Sequence, residues 1–167
     1  MNGWSIRAEY AGDAPAIAAL AFAAFDSPDH SGEAEREIVE RLRADGDLTL
    51  SLVAIAAEGE IVGHAAFSPV RINGEAAGWF GLGPVSVAPA HQGSGVGSAL
   101  IREGLARLAK LGAKGCVVLG SPTYYGRFGF ASDPALVYPA PPAKYFQTLV
   151  MRGEAPQGEV SYSAAFG

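Results

Sequence analysis

The chain has 167 residues, 49% of them hydrophobic and 17% charged, with a formal net charge of −5. That length suits one domain over residues 1–167 with a sizeable core; the composition excludes a disordered chain, and the charge speaks against a broad nucleic-acid surface. A single cysteine excludes an internal disulfide, and the longest apolar run, the twelve residues 14–25, is too short for a bilayer, so a cytoplasmic protein with no membrane partner is expected.

Residues 4–10 read as a first strand. Asp13 is placed to cap the alanine-rich helix that follows, with Pro15 tolerated in its first turn. Ser31 is placed to cap a second helix, in which Glu33, Glu35 and Glu37 sit near the positive end and Ile38, Val39 and Leu42 form the apolar stripe. Residues 50–57 and 61–72 read as strands joined by Glu58-Gly59-Glu60, and Asn73-Gly74 signals a hairpin into a third strand, so three antiparallel strands are expected in mid-chain.

The stretch Val85-Ser86-Val87-Ala88-Pro89-Ala90-His91-Gln92-Gly93-Ser94-Gly95-Val96-Gly97-Ser98 runs from an apolar strand through a glycine-rich turn into a helix. Glycines at alternate positions let a ligand approach the backbone and let several N–H groups converge on one point. The helix start adds unpaired N–H groups and positive dipole, so the turn suits an anion such as a phosphate. The dinucleotide spacing G-x-G-x-x-G fails, because Leu100 stands where the third glycine belongs. The nucleoside-triphosphate loop fails as well, because no lysine precedes Lys110. The helix is expected over residues 96–111, with Val96, Leu100, Leu105, Leu108 and Leu111 facing the core and Gly112 ending it. Residues 116–119 read as a buried strand parallel to the one before the helix, reached by a right-handed crossover, with Cys116 a small core residue. The prolines 134, 139, 141 and 142 make residues 133–142 a connector without regular structure, and residues 145–151 and 160–166 are expected to pair as terminal strands.

Gln92, Gly95 and Gly97 match Q/R-x-x-G-x-G/A, and Tyr125, Gly129 and Phe130 match Y-x-x-x-G-F after the 116–119 strand. In this order, with a helix between them, the two elements resemble those of the GNAT superfamily of N-acetyltransferases. The run from Leu82 to Phe130 is most similar to a bacterial branch of predicted acetyltransferases whose acceptors are mostly undefined. The resemblance implies an α/β fold: a central mixed, mostly antiparallel sheet with helices on both faces. It implies acetyl-CoA as cosubstrate, its pyrophosphate on Gln92, Gly93, Ser94, Gly95, Val96, Gly97 and Ser98, and its pantetheine arm along Val85 and Val87 where the strand bulges and splays. It makes Tyr125 the acid that protonates the leaving thiolate, with Tyr124 as the fallback. The partner implied is a small-molecule or protein amine acceptor; a homodimer stays open, and a nucleic acid is not expected.

The resemblance breaks at the general base. Family members often carry a glutamate on the strand before the loop, but between Ala76 and Ser132 the only acid is Glu103, inside the helix. Water, His64, Glu75 or an already neutral amine would have to serve. The acids Asp26, Asp29, Glu33, Glu35 and Glu37 border the acceptor side in the resembled fold and could attract a cation, although such clusters more often solvate a helix start. His30, His64 and His91 match no metal-ligand spacing and no G-x-S-x-G occurs, so neither a metal site nor a hydrolase elbow is expected. Two rivals remain, a non-catalytic acyl-CoA-binding sensor that keeps the loop without the chemistry, and a nucleotide-binding domain.

Overall fold

The structure, a computed structural model, describes residues 3–140 and 142–167, so Pro141 of the expected connector lies outside the described residues. A sheet in the order β1-β2-β3-β4-β5-β7 forms the centre. Its strands are β1 (Trp4–Ala8), β2 (Leu50–Ala56), β3 (Ile61–Ile72), β4 (Glu75–Val87), β5 (Gly115–Leu119) and β7 (Phe146–Val150). All neighbours in this order are antiparallel except β4 and β5, which run parallel. The Asn73-Gly74 turn joins β3 to β4 as expected, with Asn73 at φ 52° and Gly74 at φ 80°.

Side chains alternate across the sheet, so each strand feeds two cores. Leu52, Ala54, Ala65 and Phe67 face α3 (Val96–Lys110), which presents Val96, Leu100, Ile101 and Leu108. Val53 faces the other way, into a cluster with Ile17 and Ala21 of α1 (Ala14–Phe25) and Val39 of α2 (Glu33–Ala44). Helices therefore cover both faces. Gly104 marks the close approach of α3: a Cβ there would lie 2.3 Å from the ring of Phe67. Cys116 is fully buried in the α3 core, and burial pushes its thiol far above the ordinary value.

Four local expectations are corrected. Asp13 does not cap α1 through its side chain; its carboxylate pairs with Arg7 of β1 at 2.7 Å and accepts the Tyr10 N–H at 2.6 Å. Leu111 is 65% exposed, because α3 ends at Lys110 and the chain turns away; Ile101 fills the core instead. The terminal strands do not pair with each other. β7 extends the sheet beside β5, while β8 (Gly158–Ser161) crosses to the far end of β3, where Ile72 faces Val160. The supposedly irregular connector contains β6 (Leu136–Val137), which pairs in parallel with β8. This arrangement carries Leu136 and Val160 onto Val70, Val117 and Trp79, apolar sheet surface that α1 and α2 leave uncovered.

Candidate active-site cleft

β4 and β5 pair only through Trp79–Gly115, Phe80–Cys116 and Gly81–Val117, and from Leu82 onward they part. On the opposite edge of β4 the register with β3 shifts, since Phe67 faces Leu82 while Ala65 faces Val85. β4 thus carries one extra residue at Gly83-Pro84, a bulge that bends it from its neighbour. Pro84 also has no N–H to offer a ladder. The bulge settles which backbone groups face the gap. The Ala88 N–H donates to Val62 O of β3 at 2.9 Å, and bonding direction alternates along a strand, so Val85 and Val87 point theirs away from β3.

The glycine-rich turn follows directly. Gln92 Nε2 donates to Val87 O at 3.1 Å and ties the turn to the end of β4. Gly95 stands at φ 94° as the residue before α3, a left-handed conformation that costs a residue with a Cβ. The first backbone bond of α3 runs from Ala99 N to Gly95 O at 3.0 Å. The N–H groups of Val96, Gly97 and Ser98 therefore precede the helical ladder and point out of its positive end. Val96 fixes the turn from beneath, buried in the core against Gly63, while Gln92, Gly93, Ser94 and Gly95 are exposed.

Tyr125 comes from α4 (Pro122–Gly126), a short helix capped by Ser121, whose hydroxyl accepts the Tyr124 N–H at 3.2 Å. Its ring lies against Gly120, where a Cβ would stand 2.4 Å away, and edge-on to Tyr124 and Phe130. Tyr124 links this helix to the turn, with Ser98 Oγ 3.4 Å from its hydroxyl. Burial, with a smaller effect from Tyr124, pushes the Tyr125 phenol up to about 12, so it holds its proton throughout the neutral range.

Where the strands part lies a cleft of about 400 Å³. Leu82, Gly83, Pro84 and Val85 form its β4 wall, with Leu119 and Tyr125 opposite. Phe25, Glu35 and Ile38 close the side of α1 and α2, and Tyr138, Tyr162 and Phe166 close the C-terminal side. The structure thus brings Val85 and Tyr125 to one cavity and links the turn to it through Tyr124 and Ser98. The C-terminal aromatics had no motif to announce them. Gly81 was the one available signal, because a glycine inside a strand often marks a close approach; a Cβ there would lie 2.7 Å from the ring of Tyr162.

Neither residue named as a base borders this cleft. Glu75 is exposed at the hairpin end of β4. His64 is fully buried, with Nε2 2.8 Å from Ser51 Oγ; Ser51 in turn hydrogen-bonds Glu9, which pairs with Arg43 at 2.9 Å. Burial lowers the His64 imidazole from 6.5 to about 4 against the opposing pull of Glu9. It is neutral and weakly basic at neutral pH. Among the described residues no group of three or more His, Cys, Asp or Glu side chains is placed to hold a metal, and no helix is long and apolar enough to cross a membrane.

Residues 5–132 match the family model described as an acetyltransferase (GNAT) domain. The chain is 44% identical over 125 residues to the N-acetyltransferase YhbS of Escherichia coli, covering 75% of this chain and 72% of that protein. Among solved structures it is similar to a GNAT family acetyltransferase from Brucella melitensis in complex with acetyl-CoA, at 49% identity, TM-score 0.88 and full coverage of both chains. It is also similar to the structure of Escherichia coli YhbS in complex with CoA, at 37% identity and TM-score 0.90, covering 98% of this chain and 91% of that one.

Proposed function

Because the chain belongs to the GNAT acetyltransferase family, we propose that it transfers the acetyl group of acetyl-CoA to an amine by direct attack in a ternary complex. The observation that carries this reading is the cleft at the parted strands, with the amide-rich turn linked to it on one side and a protonated phenol inside it. The N–H groups of the turn at residues 92–98 hold the pyrophosphate, and the outward-facing backbone of Val85 and Val87 holds the pantetheine arm. Fixing thioester and amine side by side is itself a large part of the catalysis, able to remove roughly 7–11 kcal/mol of barrier in favourable cases.

In the transfer a neutral amine nitrogen bonds to the thioester carbonyl carbon. The C–S bond breaks, sulfur leaves with its electron pair, and the nitrogen loses its extra proton to water. Tyr125 hydrogen-bonds the developing thiolate and donates its phenolic proton to it, then recovers one from solvent. Its high pKa does not disqualify it, because the burial that raises the phenol also raises a thiolate formed in the same cleft. The rival reading, acyl-CoA binding without chemistry, draws on the lack of any carboxylate on β4 from Ala76 to Val87. Turnover separates the two: CoA release from acetyl-CoA is followed with a panel of amines, beside calorimetric binding of acetyl-CoA. Binding with amine-dependent release is expected. Binding without release for any amine would favour the sensor, and absent binding would sink both.

A further inference from the structure

The acceptor wall of the cleft carries one charge. Of the side chains that line the cleft, Glu35 alone is formally charged, and the rest are apolar or phenolic. Its neighbours on α2 are used differently: Glu33 and Glu40 are 45% and 47% exposed and both pair with Arg36. The Glu35 side chain is 19% exposed, and its partner is a histidine, His30, whose Nε2 lies 3.0 Å from Oε1 and whose own side chain is 53% exposed. Among the described residues no arginine or lysine borders the cleft to balance the carboxylate.

A second feature, independent of the acidic helix start, also points to a ligand. The hydroxyl of Tyr162 is buried, has no hydrogen-bond partner among the described residues, and belongs to a ring that lines this cleft. A buried polar group left unpaired is costly, so a bound molecule that satisfies it gains affinity. Around these two polar points stand Phe25, Ile38, Tyr138 and Phe166, surface suited to an apolar or aromatic body.

From this arrangement we infer that the acceptor is a small arylalkyl primary amine, which binds as an ammonium held by Glu35, loses one proton to water and then attacks as the neutral amine, with its ring packed among the aromatic side chains and Glu35 as the specificity-determining residue. The inference rests on the acetyl-transfer reading and adds the acceptor class. The same features disfavour other amines. An amino acid brings a carboxylate for which the cleft offers no cation, and it would meet the charge of Glu35 at close range. A polyamine brings several ammonium groups to a single carboxylate, and a lysine side chain on a protein brings no aromatic ring.

The test uses the full chain with 2-phenylethylamine, phenylalanine, spermidine and a lysine-containing peptide. CoA release gives the kinetics, and calorimetry of 2-phenylethylamine on the CoA-saturated protein gives an affinity that does not depend on turnover. Wild type is expected to favour 2-phenylethylamine over phenylalanine by about 100-fold in kcat/KM. Glu35→Gln should weaken binding of that amine and raise its KM by about 10- to 100-fold, as for loss of a charge-assisted bond, while the Kd for acetyl-CoA stays the same. Tyr162→Phe, which keeps the ring, should weaken amine binding several-fold. Preference for phenylalanine, spermidine or the peptide would overturn the assignment, as would an unchanged amine affinity in Glu35→Gln or no acetylation of 2-phenylethylamine by protein that binds acetyl-CoA. Loss of acetyl-CoA binding in wild type would instead refute the transfer reading beneath it.

Discussion

His64 makes the stability of this protein depend on pH in a way that can be worked out from its surroundings. The imidazole is fully buried between β2 and β4, and burial holds it at about 4 instead of 6.5. The unfolded chain binds a proton on this residue below pH 6.5, whereas the native state stays neutral until about 4. The contribution is thus fully present above 6.5, is lost as pH falls, and is exhausted near 4. The span corresponds to ~3 kcal/mol, of which ~2 kcal/mol is gone by pH 5. Glu9 contributes in a lower range. Burial pushes its carboxyl up, but hydrogen bonds from Arg43 and Ser51 outweigh that and leave it below 4.5, so its share is lost only under more acidic conditions. The assay is urea unfolding at pH 7, 6, 5.5 and 5 on wild type and His64→Gln, the variant being uncharged throughout. Wild type should lose ~2 kcal/mol more than the variant between pH 7 and 5. Parallel stability curves for the two proteins would refute the buried, neutral imidazole.

Three further outcomes are expected. Tyr125→Phe keeps the ring packed on Gly120 and removes the hydroxyl, so kcat should fall about 100-fold with acetyl-CoA affinity unchanged; equal kcat would assign the residue to packing and direct attention to Tyr124. Gly95→Val forces a β-branched residue to φ 94°, where a Cβ would meet only the Trp4 ring, at an ordinary contact of 3.9 Å, so the loss should appear mainly as a Kd for acetyl-CoA raised at least tenfold, with folding retained; wild-type affinity would refute the pyrophosphate seat. Gly104→Val drives a side chain into the ring of Phe67 and should cost about 1–3 kcal/mol in urea unfolding, a result that unchanged stability would contradict.

What could be read directly from the sequence was local and periodic. The 3.6-residue pattern of α3, the Asn73-Gly74 hairpin, the alternation of β2 and β3 and the spacing of glycines after β4 each express a backbone preference that needs no distant partner. They sufficed to place the sheet order around the glycine turn, and two motifs in the right order supplied the family and the turn-to-tyrosine frame of the candidate site. Where the reading failed, a remote residue decided the outcome. Arg7 drew Asp13 away from its cap, and apolar surface on β3 and β4 drew β8 across the molecule, so that strands adjacent in sequence did not pair. The α1–α2 wall of the cleft belongs to the same category. Glu35 was visible as one acid among five at a helix start, but only the packing of α2 against the splayed strands turned it inward while Arg36 neutralised its neighbours. Tyr138, Tyr162 and Phe166 reach the cleft through long-range pairing of β6, β8 and β3, contacts that depend on the three-dimensional path of the chain and leave no period in the sequence.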